Sequence, residues 1–164
     1  FDEAEKGIQD RIARLMSIKG KQSVDSLHKK LGHIMWDFVG MGREREGLEK
    51  AIVELKALKK EFWSDVRIPG KADDLNVELE KALRLADFIE IGELMARDAH
   101  DREESCGGHF RLEHQTPEGE ALRHDDQFAY VSCWEYQGED QDPVLLKEPL
   151  DYEFVVRQQR NYKN

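Results

Sequence analysis

Cysteine is scarce in this chain, and an excess of cationic side chains, a phosphate-binding glycine loop and a long apolar run are all missing from it; each lack removes a class of protein. Only two cysteines, Cys106 and Cys133, occur in 164 residues. That is too few for the disulfide framework of a small secreted domain, so a reducing compartment is expected. No apolar run approaches the ~20 residues of a membrane-spanning helix, so direct membrane insertion is excluded. Twenty-five Lys and Arg against 35 Asp and Glu leave a formal net charge of −10. A nucleic-acid binder needs a clustered excess of cations, as does a protein that sits on anionic lipid, and neither fits this balance. Residues 1–20 are charged throughout, unlike a secretory signal. Neither G-x-G-x-x-G nor a P-loop is present, since Gly40, Gly42 and Gly47 have the wrong spacing. The first residue is Phe1 rather than methionine, which points to a piece of something larger.

What is abundant is helical periodicity. Val24, Leu27, Leu31, Ile34, Met35, Phe38 and Val39 recur at intervals of three and four, with Ser23 and Asp25 as start signals. Gly40-Met41-Gly42 breaks this pattern, and Leu48, Ile52, Leu55, Leu58 and Phe62 form a second stripe. The short connection predicts an antiparallel pair. Pro69-Gly70 marks a loop, and Asp73, Asp74 or Asn76 is placed to cap a third helix from about 75 to 104. In that helix "LADFIEIGELMA" carries apolar residues around most of its circumference, which predicts burial on more than one side. Ile8, Ile12, Leu15 and Met16 give one short helical pattern ending at Gly20, while Phe128–Tyr136 alternates and reads as a strand. The expected fold is mainly α. A short helix or linker (1–22) precedes an antiparallel three-helix bundle, spectrin-like and up-down-up (23–106), and an extended C-terminal tail with a short strand follows (107–164). Trp36, Trp63 and the Met35/Met41 pair are expected in core or interface packing, and the basic run Lys56–Phe62 on a solvated face.

One stretch, "REESCGGHFRLEHQTPEGEALRHDD" (Arg102–Asp126), differs from the rest. Cys106, His109, His114, His124 and Cys133 are legitimate zinc ligands, but their spacing matches no paired zinc pattern. Cys106 with His109 would need a third group orienting the imidazole to act as a nucleophile pair, and Ser105 has no G-x-S-x-G frame. Architecture explains the residues better. Gly107-Gly108 offer the positive φ that ends a helix, and Arg102, Arg111 and Arg123 have Glu103, Glu104, Asp125 and Asp126 nearby to pair with.

These residues, taken in order, resemble a known family. "HIMWDFVGMGR", "LEKAIVELKALKKEF", a long helix leading to "REESCGGHFR", then "RHDD" and the ending "KEPLDYEFVVRQQRNYK" are similar to the C-terminal region of the succinate dehydrogenase and fumarate reductase flavoprotein subunit, which L-aspartate oxidase shares. The resemblance runs from about Ile8 to Lys163. It falls on Arg102, Glu104, Ser105, Gly107, His109 and Arg111, on Arg123, Asp125 and Asp126, and on Arg160 and Tyr162 near the end. Cys106 stands where most members have arginine, and the segment before the Asp-Asp pair is longer than in the common form.

The resemblance implies a parent enzyme that interconverts succinate and fumarate through FAD, with electrons passing to an iron–sulfur subunit and quinone. Its place would be cytoplasmic, peripheral on the inner face of the cell membrane. The FAD-binding and cap domains would lie upstream, leaving no catalytic, cofactor-binding or metal residue here and a fragment that is inactive alone. Arg102, Glu104, Ser105, Gly107, His109, Arg111, Arg123, Asp125 and Asp126 then become candidate interdomain anchors. An L-aspartate oxidase domain, a stand-alone helical adaptor and a zinc site at Cys106, His109 and Cys133 are the alternatives.

Overall fold

Helix starts follow the side chains able to satisfy free backbone donors. In this computed structural model, which describes residues 1–158, α1 (Asp2–Ser17) comes first, then a two-residue strand β1 (Gln22–Ser23) and α2 (Val24–Phe38). The Ser23 hydroxyl accepts the Ser26 N–H at 3.1 Å and opens α2 as expected. β2 (Gly42–Arg43), α3 (Arg45–Asp65) and β3 (Val66–Arg67) follow. α4 (Val77–Asp101) begins two residues later than the apolar pattern suggests. Asn76 takes the cap: its Oδ1 accepts the Leu79 N–H at 3.0 Å, and its amide donates to Pro69 O at 2.9 Å. One side chain thus starts the helix and closes the preceding loop. Arg160 and Tyr162 lie outside the described residues.

The core lies between α2, α3 and α4, with Leu15 of α1 added to it. Leu27, Leu31, Leu48, Leu55, Leu58, Phe62, Leu85 and Ile89 are all buried there, each worth about 1.5–3 kcal/mol relative to exposure. Two short parallel ladders tie the helix ends together. β1 pairs with β3 in register Gln22↔Val66, setting the start of α2 beside the end of α3. β4 (Phe110–Arg111) pairs with β2 in register Arg43↔Arg111, setting the start of α3 beside the segment that follows α4. The first ladder demands glycine at position 20, where a Cβ would lie 1.9 Å from the Asp65 carbonyl oxygen.

Three expectations are corrected. α4 ends at Asp101 rather than near 104, and Gly107-Gly108 do not terminate it. They form instead the turn of a tight hairpin in which Cys106 and His109 exchange N–H···O bonds of 2.8 and 3.0 Å. Gly107 supplies the φ of +59° that this turn needs. The tail is also not simply extended with one strand. After the single-turn α5 (Asp125–Phe128), β5 (Tyr130–Glu135) pairs antiparallel with β6 (Val144–Pro149) from Tyr130↔Pro149 to Glu135↔Val144. Most of β6 is exposed on both faces, so it lacks the alternation that betrays a half-buried strand. Finally, of the core or interface packing expected for Trp36 and Met41 the core half fails, since both are exposed.

α4 is buried along one face, and the expected burial on a second side is not met among the described residues. Leu85, Ala86, Ile89 and Ala96 are buried, while Phe88, Ile91 and Met95 form a second row that is 44%, 52% and 47% exposed. The hairpin covers only the C-terminal part of α4, through polar contacts: Trp134 Nε1 donates to Asp98 at 3.0 Å and Tyr130 Oη to Asp101 at 2.9 Å.

Candidate functional site

Three helix termini converge where β2 meets β4. α2 and α4 end there, exposing unpaired carbonyls, and α3 starts there, exposing unpaired N–H groups. Each is closed by a side chain from another segment. Arg43 bends back so that its Nε donates to Gly40 O at 2.8 Å and Val39 O at 3.1 Å, capping α2. Arg111, only 1% exposed, donates from Nη1 to Ala99 O at 2.9 Å and His100 O at 3.3 Å, capping α4. A guanidinium suits both places, because a helix C-terminus carries partial negative charge. The start of α3 has no cap of its own; Glu113 accepts the Arg45 N–H at 2.5 Å in its stead.

His109 and Ser105 join these caps into one unit. His109 Nε2 lies 2.8 Å from the Arg102 carbonyl, and its Nδ1 lies 2.9 Å from Arg43 Nη1. A carbonyl can only accept and a guanidinium only donate, so the ring must be neutral with its proton on Nε2. Burial, followed by the cations Arg43, Arg111 and Arg102, lowers its pKa, against the opposing pull of the Arg102 carbonyl. The Ser105 hydroxyl accepts the Arg111 N–H at 2.8 Å, while its own N–H donates to Leu122 O at 2.8 Å. Glu113 feels partial burial, which would raise its pKa. The Arg45 N–H and the Arg111 guanidinium overcome this and hold it at about 2.

The remaining anchor candidates form two further clusters. Arg102 donates to the buried Glu104 carboxylate at 2.6 Å and to Phe128 O at 2.8 Å, tying the end of α4 to the start of the hairpin. Arg123 grips Asp125 with two bonds of 2.8 Å and reaches Gln158 O at 2.9 Å. Arg157 donates to Asp125 O at 3.0 Å, so this pair holds the tail. Glu103 pairs with Arg45, whereas Asp126 has no ion-pair partner among the described residues. The partner of Arg111 is Glu113 rather than any of the four acids expected, because β4 carries Arg111 back to the end of α4.

The chemical alternatives fare poorly on this geometry. Both ring nitrogens of His109 are engaged, so it cannot serve Cys106 as a base. No group of three His, Cys, Asp or Glu among the described residues could hold a metal ion. Cys106 and Cys133 are free and exposed, and His114 and His124 face each other edge-on at 5.5 Å. The longer segment before the Asp-Asp pair is absorbed by a turn at Thr116–Gly119, closed by a bridge between Gln115 and Ala121. Sequence reasoning missed Arg43 and Glu113. Arg43 directly follows a helix-breaking Gly-Met-Gly, where a cation favours a helix end, so a signal did exist.

A family model described as the fumarate reductase flavoprotein C-terminus matches residues 28–162, which takes in most of α2, all of α3 and α4, and the clamp that Arg43, Ser105, His109, Arg111 and Glu113 form at the helix ends. The chain belongs to this family. It is a C-terminal domain of the succinate dehydrogenase/fumarate reductase flavoprotein type. The fumarate reductase flavoprotein subunit of Proteus vulgaris is 31% identical over 113 residues, 69% of this chain and 19% of that protein. The flavoprotein subunit of Escherichia coli fumarate reductase is 30% identical over 107 residues, 65% of this chain and 18% of the relative. The domain therefore spans about a fifth of the length of these relatives. Among solved structures, a quinol-fumarate reductase with menaquinol molecules superposes with a TM-score of 0.80 at 24% identity, covering 94% of this chain and 26% of that one. The adenylylsulfate reductase of Archaeoglobus fulgidus superposes at 0.71 and 18% identity, covering 98% and 26%. The fold is thus shared across reductases of different substrates.

A flavoprotein domain invites the question whether these residues could cradle FAD. A flavin pyrophosphate seeks a free helix N-terminus with glycines that let the backbone approach. Here the starts of α2, α3 and α4 are filled by Ser23, Glu113 and Asn76. α1 begins with Asp2, Glu3 and Glu5, which repel phosphate. No step of flavin chemistry is assigned to the described residues.

Proposed function

We propose that this domain is the mechanical end of a subunit that interconverts succinate and fumarate through FAD held upstream. Electrons would pass to an iron–sulfur subunit and quinone, at the inner face of the cell membrane. The observation that carries this reading is the family match over residues 28–162. The clamp supports it, because its buried polar groups are spent on joining helix ends and none is left for a reaction. In this reading residues 1–22 lead in from the flavin domain, residues 23–106 form an up-down-up bundle, and residues 107–164 lie along the neighbouring domain. Arg102, Glu104, Ser105, Gly107, His109 and Arg111 hold the bundle end rigid, while Arg123 and Asp125 position the tail, so that both present fixed surfaces to the upstream FAD-binding and cap domains. The exposed row Phe88, Ile91 and Met95 is one such surface.

The test is to express the chain together with the upstream coding sequence and assay fumarate-dependent oxidation of a reduced viologen dye. Arg111→Ala in that protein should lower flavin content, leaving the KM for fumarate of the flavin-loaded fraction unchanged. A flavin-loaded protein inert toward both fumarate and succinate would defeat the reading. Peroxide formed from L-aspartate would assign the parent to L-aspartate oxidase instead. The 164-residue chain alone should carry no flavin and no activity, and stoichiometric flavin absorbance in it would refute that part.

A further inference from the structure

Although the chain is acidic overall, one strip across α1, α3 and α4 is densely basic. Arg11, Arg14, Lys56, Lys59, Lys60 and Arg97 line or border two adjoining cavities of about 460 and 430 Å³. Trp63 forms one wall, with the Arg14 guanidinium 4.1 Å from its ring centre. Covering the strip is the loop between β5 and β6, whose acids each meet this face. Glu139 pairs with Arg14 at 3.2 Å, Asp142 with both Lys56 at 2.7 Å and Arg97 at 2.5 Å, and Asp140 lines both cavities. Gly138 at φ +115° and Asp140 at φ +61° turn the loop over the strip.

Apolar contact touches this loop near its ends, where the half-buried Gly138 and Pro143 lie beside Leu94, Trp134 and Tyr136. Gln137 and residues 139–142 are exposed, the ion-paired carboxylates Glu139 and Asp142 being 70% and 65% so. Exposed ion pairs of this kind contribute little each and are screened by salt. The acidic part of the loop therefore sits over unfilled space, held there by charge. Six cations face six acids, three of them the loop's own beside Asp87, Glu90 and Glu93 of α4. Moving the loop aside leaves three positive charges uncompensated, and the Lys60 ammonium has no carboxylate partner among the described residues even with the loop in place. A surface already occupied by an extended acid-acid-x-acid segment displays the chemistry of what fits it.

We propose that this basic strip is a docking site for an extended acidic segment of a partner protein, and that the 137–142 loop is a built-in competitor which that segment displaces. The occupant is a peptide chain rather than a small anion, since the cations are spread along three helices. It is not nucleic acid, because the acids of α4 interleave with the cations and would meet a continuous phosphate backbone at close range. Strip and loop both belong to this chain, so the site can be tested independently of the redox reading.

The test uses a fluorescent peptide copying residues 136–143 and the full 164-residue chain at low ionic strength. Glu139→Gln/Asp140→Asn/Asp142→Asn should bind the peptide at least about tenfold more tightly than the unsubstituted chain. Adding Lys59→Gln/Lys60→Gln to that variant should abolish the gain, as should high salt. Equal affinity for both chains overturns the proposal. So does equal binding of a peptide with its acids amidated, or equal competition by duplex DNA, which would mark a nonspecific polyanion surface. If the triple variant fails to fold, hydrogen exchange on the unsubstituted chain decides. Saturating peptide should speed exchange of the 137–142 amides, and unchanged rates sink the idea.

Discussion

Arg111 donates to carbonyls at the end of α4 and to Glu113 from a position with almost no solvent contact. Arg111→Ala strands those acceptors and should cost about 3 kcal/mol, read as a drop in the urea midpoint. Arg111→Lys keeps the charge but loses the planar fork and should fall between. His109 gives a pH signature. Its folded pKa lies below 6.5, through burial first and then Arg43, Arg111 and Arg102, so the unfolded chain takes up the proton first. Stability should fall as pH drops below about 6.5 and level off beneath the folded value, and His109→Gln should flatten that slope in thermal melts. Glu113 is depressed to about 2. Its contribution is present above its ordinary value of 4.5 and lost as pH falls toward 2, so Glu113→Gln should weaken the fold at pH 7 and be silent near pH 2. Arg102, His109 and Arg111 were legible in the sequence because they cluster within ten positions. Their closest dependence, Arg43 on His109, spans 66 positions, and no local spacing reveals it.

Among the elements, the helices were readable because their apolar periods and caps are local. Ser23 and Asn76 cap the helices they precede. The two ladders were not readable, because each pairs segments through backbone alone and leaves no side-chain pattern. Gly20 does report such a contact, since its neighbour there is the Asp65 carbonyl rather than a side chain able to move. Gly20→Ala should cost about 2 kcal/mol and loosen the junction of α2 with α3, measured by thermal unfolding and by faster exchange of the Lys21 amide, which donates to Asp65 at 2.9 Å.

Over the whole molecule, the row Phe88, Ile91 and Met95 is apolar surface that the described residues leave about half exposed. Exposed patches of this kind drive association. The 164-residue chain should self-associate at high concentration in sedimentation experiments, and Ile91→Lys/Met95→Lys should keep it monomeric while lowering its stability by no more than about 1 kcal/mol. A clean monomer before substitution would contradict this expectation.

The amino-acid order alone determined the mainly helical class, the approximate spans of the long helices and the wide apolar circumference of α4. All three follow from side-chain periodicity and caps within a few residues of each other. It also carried the family resemblance, since that rests on motifs in order along the chain. Tertiary structure decided which side chains close which helix ends: Arg43 for α2, Glu113 for α3 and Arg111 for α4. It also decided that Gly107 turns a hairpin and that an acidic loop lies across a basic strip. Unpaired backbone groups at a helix end accept any suitable donor or acceptor that the packing brings near, so their partners are selected in space and not along the chain.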